Sequence, residues 1–583
     1  MQDDNVATPL SSGQFFSRMA ILFGVSSLVG IVGSMTVFNF QQTISCSVFI
    51  AIIMGTLLFW NLRLAIAFLG LSVLIFSNSI NIPTFIQSAS LEVILFLVGM
   101  MVVVGALRDL GFFTWIVQLI VSMPNLTGKK FIAVTAVSSA LMACAVDEVT
   151  SIIFISSLIF QVCDRLKLNP TPYIIICVFA TNVGSAGTMM GNPVGIYIGT
   201  KAGLSFADFI IWSFPVMLVA LALVVVLTMW FFRKDLITFD LNLKERMARN
   251  LSLVPKIEVP YKHGLTLLLA TVCMIASHSF LEEMFGLGKN SVLLIAPLIC
   301  AGIVMIIKRN RARHYIEKEV DWWTLLFFML LFAVAGTLEH THVDKIMADK
   351  FSAVCGTNSI VLIPLVMVVS AVGSAFVDNV IFVAAFCPVI SKLAIGIKDL
   401  PLWWALLFGA CFGGNITMIG STANIVALGM LEKRSHVHVM FFQWLKIGIL
   451  ASIVTCGFAC LALYALAPLM PDRYAQISKN DFQDYSAVLE NKNAIIKAET
   501  TPLFNTIWLK PEDKTQYSSV VLKMFGDKRE SINIIAYLPE NIILDSNDTA
   551  VEHHFKGKLS HTGRADYPAM MIVEEIITEQ LQH

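Results

Sequence analysis

The chain is 583 residues long, 57% hydrophobic and only 14% charged, with 40 basic against 40 acidic residues and a formal net charge of zero. A soluble globular domain is about one quarter charged, so these values, with a mean hydropathy of +0.77, exclude an ordinary soluble protein and place the chain in the membrane class. The zero hides a split: from Pro471 onward there are 12 Lys and Arg against 17 Asp and Glu, so the remainder is basic, and nucleic-acid binding has no support.

Arg18 precedes a run from Met19 to Phe38, roughly 20 residues, long enough to cross about 30 Å of hydrocarbon and read as a retained first helix. Further spans are predicted at 45–60, 63–80 and 91–106, and the shorter segment 111–123 is expected to lie along the interface. The apolar block 131–163 is interrupted near its middle by Asp147 and Glu148. It is too long for one straight span and suits two half-helices meeting at a tip. Spans follow at 172–199, 207–232, 264–283, 288–308 and 321–338. A second interrupted block covers 358–395, then come 402–430 and 445–470. After Pro471 the texture changes. FNTIWL, SSVVLKMF and INIIAYL read as strands and MMIVEEIITEQL as a helix, which predicts a small α+β domain. All 11 cysteines precede Pro471, without disulfide or metal-ligand spacing, and read as small buried hydrophobes.

The chain contains itself twice. SALMACAVDEV at 139–149 matches SAVGSAFVDNV at 370–380, which sets Asp147 opposite Asp378. GSAGTMMGNPVG, from Gly184 to Gly195, matches GGNITMIGSTAN, from Gly413 to Asn424, which sets Thr188 against Thr417 and Gly191 against Gly420. Upstream, VVVGALR matches FAVAGTLE through Gly105 and Gly336. Charge at bilayer depth costs several kcal/mol unless it faces protein, water or a counter-ion. The tips therefore read as a buried site holding Asp147, Glu148 and Thr150 from one copy, and Asp378 and Asn379 from the other. The glycines weaken a helix and Pro193 removes a donor, so the matched stretches read as breaks whose backbone lines a cavity. Beside them stand Asn182, Thr188 and Asn192 in the first copy, and Asn415, Thr417, Ser421 and Asn424 in the second.

Basic residues set the orientation. With the N-terminus in the cytoplasm and each interrupted block entering and leaving on one side, Arg63, Lys129, Lys130, Arg165 and the basic 233–263 loop all fall inside. The second copy then enters from the opposite side, making the repeats inverted, and an odd number of spans leaves the C-terminal domain outside the cytoplasm. The expected organisation is a first segment and helix (1–44), a first transport repeat (45–235), a cytoplasmic linker (236–263), a second repeat (264–470) and the C-terminal domain (471–583). In all, about 11 transmembrane helices and two re-entrant hairpins are predicted in an all-α polytopic membrane protein. No nucleophile elbow, zinc-binding His pair or phosphate loop occurs, so nothing supports an enzyme.

The Ser-Ala…Asp-Asn-Val tip and the Gly-Gly-Asn…Thr-x-Ile-Gly…Ala-Asn break resemble the ion transporter superfamily. The branch of arsenite permeases and bacterial sodium–proton antiporters is the nearest match, with citrate-transporter-like proteins and divalent-anion/sodium symporters more distant. The likeness spans roughly 45–470. It implies two five-helix repeats, each with a re-entrant hairpin and a broken helix, working as an elevator-like carrier. Transferred residue by residue, its site comprises Asp147, Glu148, Asp378 and Asn379 at the tips and Thr188, Asn192, Thr417 and Asn424 in the breaks. Dicarboxylate symporters resemble this pattern with neutral tips, so the acids argue against a dicarboxylate. Glu148 stands where Asn is usual, and Gly195 where the second copy has Asn424, which leaves stoichiometry and substrate open.

The expectation is a secondary transporter exchanging sodium, or another small cation, for protons, needing no cofactor. Substitution of Asp147 or Asp378 is expected to abolish exchange. Proton-coupled arsenite efflux, with Cys144 and Cys411 near the site, is the alternative, and carboxylate transport is a third. Expected partners are a small inorganic ion, the bilayer of a bacterial inner membrane, a second copy of the chain and an unidentified partner of the C-terminal domain.

Overall fold

The computed structural model describes residues 12–36, 38–248, 261–287, 291–355, 359–393, 398–435 and 439–471, and the strand residues of the C-terminal part given below. Contacts group the chain into two units. One comprises Met1–Lys350, Ile363–Val389 and Trp403–Leu466; the other comprises Phe351–Leu362, Ile390–Leu402 and Ala467–His583.

Helix α1 (Ser12–Thr36) precedes the first repeat and packs on α2 (Phe40–Leu58), and apolar residues of the two, Phe23, Leu28 and Phe40 among them, are exposed as lipid-facing helices require. Next come α3 (Arg63–Phe76), α4 (Ile82–Ser88), α5 (Leu91–Asp109) and the short α6 (Phe112–Val121). The interrupted block is the predicted pair of arms, α7 (Gly128–Ala145) and α8 (Glu148–Leu166). The glycine-rich span is likewise broken, into α9 (Thr171–Gly184) and α10 (Pro193–Ala202). A short α11 (Phe206–Asp208) runs through a π-turn into α12 (Phe214–Phe231), and α13 (Arg233–Ala248) closes the half.

The second repeat follows the same order. After α14 (Lys262–Ala276) and α15 (His278–Phe285), which meet at 55°, come α16 (Ser291–Ile307) and the short α17 (Ala312–His314). Then α18 (Trp322–His340) matches α5, and α19 (Val343–Cys355) matches α6. The arms α20 (Ser359–Phe376) and α21 (Asn379–Leu393) form the second hairpin, and α22 (Leu400–Gly413) and α23 (Thr422–Ser435) the second broken helix. The long α24 (Phe441–Leu466) corresponds to α12. Among the described residues eight helices are individually long and apolar enough to cross a membrane, or ten if each of two bent pairs is one span.

The two halves exchange contacts reciprocally. Helix α5 of the first half packs on α14 and α16 of the second, and α18 packs on α2, α3 and α4 of the first. Gly105 of α5 lies against Glu319, and Gly336 of α18 lies against Ser88. From 105 to 336 and from 88 to 319 the step is the same, so one contact is the image of the other. That is the signature of a two-fold relation between units, as inverted repeats require. Either glycine leaves no room for a Cβ without moving its neighbour.

Three segments differ from the sequence reading. The linker begins as a helix, α13, which holds the open end of the first hairpin. Asp240 accepts from the Gly128 amide at 2.6 Å, and Asn242 donates to the Leu166 carbonyl at 2.8 Å. Arg246 donates to the Arg165 carbonyl at 3.0 Å, while Tyr173 of α9 donates to the Asp235 carbonyl at 2.9 Å. Helix α19 occupies the stretch between the 321–338 span and the 358–395 block, where no element is predicted because the charges Asp344, Lys345, Asp349 and Lys350 mask an amphipathic period. The third difference lies in the C-terminal part.

Its described residues are strands: β1 (Ala475–Ile477), β2 (Lys492–Trp508), β3 (Gln516–Phe525), β4 (Ser531–Pro539), β5 (Glu552–His561) and β6 (Ala569–Ile577). The helix expected in MMIVEEIITEQL is strand β6 over its described part. Met571 and Val573 are both buried, a period of two rather than 3.6. Strand β2 pairs with β5 along Lys492–Glu499 and with β3 along Glu499–Trp508, and shifts register between Pro502 and Thr506. Strand β4 is antiparallel to β3 and parallel to β6, which is antiparallel to β5. Five strands thus close in the order β2-β3-β4-β6-β5, with β1 parallel to β2 outside the ring. This is the strand order of an OB-type barrel, and closure removes the open edges that an acidic, strand-rich tail would otherwise expose.

Candidate functional site

The hairpin tips are built by capping. Asp147 is the N-cap of α8 and accepts from the Thr150 amide at 2.7 Å. Asp378, just before α21, accepts from the Val380 amide at 3.0 Å and from the Thr422 hydroxyl at 2.7 Å. A carboxylate at a helix N-terminus satisfies free amides and meets the positive end of the dipole. The residue after each cap is buried. Glu148 is 3% exposed and Asn379 1% exposed, and among the described residues Glu148 Oε2 and Asn379 Oδ1 have no hydrogen bond of good geometry.

The broken helices bring amides and hydroxyls to these tips. Glu148 Oε1 accepts from the Ser421 hydroxyl at 3.4 Å, across the two repeats. The single Ser421 hydroxyl proton is shared between this long contact and the shorter one to Asn182 Oδ1 at 3.0 Å. The Asn182 amide donates to Asn415 Oδ1 and to Asn424 Oδ1, both at 2.8 Å. In the other break Asn192 donates to the Ser185 hydroxyl at 2.9 Å and to Cys411 Sγ at 3.2 Å, and its own oxygen caps α10 through the Gly195 amide at 2.8 Å. Ser185 and Asn192 also face the Glu148 carboxylate, and Asp378 is the acid whose charge acts on it most.

The duplicated sequence carries duplicated bonds. Thr188 donates to the Cys144 carbonyl at 2.5 Å, and Thr417 donates to the equivalent Ala375 carbonyl. Gly184 rests on the Ala140 backbone as Gly413 rests on that of Ala371. Ser213 of the π-turn holds the Ala186 carbonyl at 2.6 Å, and Trp444 of α24 holds the equivalent Asn415 carbonyl at 3.0 Å.

Of the residues singled out in the sequence, Glu148, Asn182, Asn415, Ser421 and Asn424 form one bonded cluster. Asp378 joins it through Thr422, and Asn192 through Ser185 beside Glu148. Asn379 is buried at the second tip. Asp147 and Thr150 bond to each other within the first hairpin, and Thr188 and Thr417 pin each break to its own hairpin rather than to the cluster. Sequence reasoning missed Ser185, Thr422 and the Cys411 contact. Ser185 and Thr422 lie inside the matched stretches, and an inspection of every polar residue there would have found them.

Two interlocked repeats of apolar helices, with paired hairpins, broken helices and buried acids between them, make up a membrane transporter. The chain belongs to the citrate transporter family, whose sequence pattern matches residues 49–409 and 338–522. The resemblance read from the tips and breaks agrees with this, through its citrate-transporter-like branch. A Mycobacterium tuberculosis protein described as an uncharacterized transporter is 31% identical over 381 residues, covering 64% of this chain and 86% of its own. The 46 kDa membrane protein of Mycobacterium leprae is 31% identical over 382 residues, with the same coverage. The P protein of Homo sapiens is 25% identical over 437 residues, covering 63% of this chain and 52% of its own. In structure, the YdaH transporter of Alcanivorax borkumensis overlays with a TM-score of 0.47 at 14% identity, covering 78% of this chain and 98% of its own.

Proposed function

We propose that this transporter exchanges a small monovalent cation, sodium first, for protons by alternating access. The observation that supports it is Glu148: a carboxylate 3% exposed, with Oε1 3.4 Å from the Ser421 hydroxyl, Oε2 without a hydrogen bond of good geometry among the described residues, and Ser185 and Asn192 facing it. Leaving a buried acceptor unmade costs roughly 1–3 kcal/mol, more when it is charged. A bound cation or a proton removes that cost, and the two compete for one carboxylate. Asp378, joined to the same cluster, makes simultaneous ionisation of both acids still less favourable without a cation. An empty, charged site is then poorly suited to cross, which couples the two fluxes. Under this reading the N-terminus lies in the cytoplasm of a bacterial cell, with the C-terminal barrel on the far side of its inner membrane.

A second reading, a carboxylate carried together with a cation, is favoured by the family's description and by four helix N-termini, of α8, α10, α21 and α23, at the site. Two of those ends are already capped by Asp147 and Asp378, and the described hydrogen bonds of the cluster include no Lys or Arg. Arg63, whose charge acts on Asp378, is engaged elsewhere: it donates to Thr324 at 3.0 Å and lies 4.0 Å over the Trp60 ring. Arsenite transport gains nothing from the thiols, since Cys144 donates to the Gly184 carbonyl and Cys411 accepts from Asn192.

The test is a proteoliposome assay with an internal pH dye, adding sodium, lithium, potassium, arsenite, succinate and citrate in turn. Proton movement driven by sodium or lithium, and absent in Glu148→Gln and Asp378→Asn, is the expected result. Silence with the cations but a response to citrate or succinate would replace exchange with the second reading.

A further inference from the structure

Helix α13 has two faces, and the first hairpin explains only one of them. Leu236, Phe239 and Leu243 are buried. Phe239 stacks on Phe131 of α7 at 5.2 Å between ring centroids and meets Tyr173 of α9 at 5.8 Å. The bonds to Gly128, Leu166 and Tyr173 lay the helix across the start of α7, the end of α8 and the start of α9. A re-entrant hairpin enters and leaves on one side, so these three ends mark one surface of the membrane.

The other face is exposed, and apolar at its centre. Phe232 alone separates α13 from α12, which is long and apolar enough to span. The Phe232 amide donates to the Thr228 carbonyl at 2.9 Å and the Leu236 amide to the Phe232 carbonyl at 3.2 Å, so the helical phase carries across the turn. Val226 and Trp230 of α12 and Ile237 and Leu241 of α13 therefore fall on one stripe, each between 59% and 67% exposed. Arg233 and Lys234, both exposed, stand between Trp230 and Ile237, and Lys244 follows Leu241 by one turn. The Arg233 guanidinium lies 6.0 Å over the Trp230 ring. An exposed tryptophan beside cations suits the headgroup layer, and an apolar stripe bordered by Lys and Arg suits a helix lying in that layer. Negative charge is largely turned away from this face. Asp240 accepts from the Gly128 amide, and Glu245 is the only exposed acid of α13.

We infer that α13 is an interfacial helix that docks on anionic lipid headgroups, with Ile237 and Leu241 at the acyl boundary and Arg233 and Lys234 on the phosphates. Because the same helix holds both arms of the first hairpin, the charge of the leaflet reaches the hairpin's base through it. None of this depends on which ion is carried.

Amide hydrogen exchange of the full chain in nanodiscs tests this, with discs of phosphatidylcholine alone compared with discs that also contain phosphatidylglycerol. Exchange in α13 is expected to slow severalfold in the anionic discs, and high salt should reduce the effect. Arg233→Gln combined with Lys234→Gln should erase most of the difference, since each cation near such a surface contributes roughly fivefold in binding. Leu241→Glu should speed exchange in α13 in both lipids, while exchange in α20 and α21 stays at the wild-type rate and shows that the chain is folded. Equal exchange of wild-type α13 in the two lipids, or a lipid effect that survives the double substitution, would overturn the inference. So would the same protection from soluble glycerol phosphate, which would assign the cations to a free anion. Protection that rises with protein concentration in detergent, whatever the lipid charge, would give the face to a second copy and overturn it as well.

Discussion

Asn182 donates its side-chain amide to Asn424 Oδ1 at 2.8 Å, tying the end of the broken helix in one repeat to the start of its counterpart's second arm. The repeat provides no second copy of this bond, because Cys411 stands where Asn182 would be and Gly195 where Asn424 would be. The Asn192–Cys411 contact is instead the weaker image of the Ser421–Asn182 bond. A two-fold backbone thus holds a one-sided polar core.

Asn182→Ala removes three buried hydrogen bonds at once, to Asn415, Asn424 and Ser421, and strands their partners. With each stranded group worth roughly 1–3 kcal/mol, and some relaxation, the expected loss is about 2–4 kcal/mol. Thermal unfolding of the detergent-purified chain should drop by several degrees. Cys411→Ala, which gives up one weak acceptor, should move it far less. Equal melting temperatures for the two variants would show that the amide cluster is not what joins the repeats.

The neighbouring tip acids should separate in function. Asp147 is only half-buried and bonds to Thr150 within its own hairpin, whereas Glu148 reaches Ser421 in the other repeat. Asn is as good an N-cap as Asp, so Asp147→Asn should keep the tip and most of the exchange rate. Glu148→Gln should lose more than a factor of ten while folding normally. Initial rates of cation-driven pH change in liposomes decide this. A larger loss at Asp147 would return that residue to the centre of the site, as the sequence alone suggested.

Most of this architecture was legible because it is written twice. The period of apolar spans, the acids within two of them and the matched glycine stretches predicted hairpins and breaks within a few residues of α7–α10 and α20–α23. Partners were not legible. Nothing in the spacing distinguishes Asp147 as a cap from Glu148 as a cross-repeat ligand, since both follow from one tip. The alternation of Met571 and Val573 was hidden because a run of branched apolar residues and glutamates suits helix and strand equally. Helix α13 was overlooked for the opposite reason: its charges suggested a solvated loop, although Leu236, Phe239 and Leu243 recur at helical spacing and are buried.

Glycines at the breaks should respond to substitution in opposite directions from a glycine elsewhere. Gly413→Ala would push a methyl into the Ala371 backbone, which cannot swing aside as a side chain can. A loss of about 1–3 kcal/mol is expected from such overpacking. Gly302, within α16, has nothing within 4 Å of its Cβ position. There Ala should be neutral or stabilise by up to about 1 kcal/mol through helix propensity. Melting temperatures of the two single variants test the pair. Stabilisation by Gly413→Ala would mean that the break does not need the close approach to the hairpin.

Helix α13 should prove to be part of the first hairpin's body rather than a tether. Asp240 accepts from the Gly128 amide at 2.6 Å, at the first turn of α7, where Thr127 also caps the Lys130 amide at 3.2 Å. A charge-assisted bond of this kind is about twice as strong as a neutral one, and the Asn242 and Arg246 bonds hold the other arm's end. Asp240→Ala should therefore speed amide hydrogen exchange at the base of α7 and α8, and lower stability by about 1–2 kcal/mol. Lys244→Ala, on the exposed face, should change neither. If the hairpin base exchanges at the wild-type rate in Asp240→Ala, α13 only covers the hairpin. If protection is lost along both arms together, base and tip form one rigid unit, and access to Glu148 must change by moving that unit rather than by opening its end.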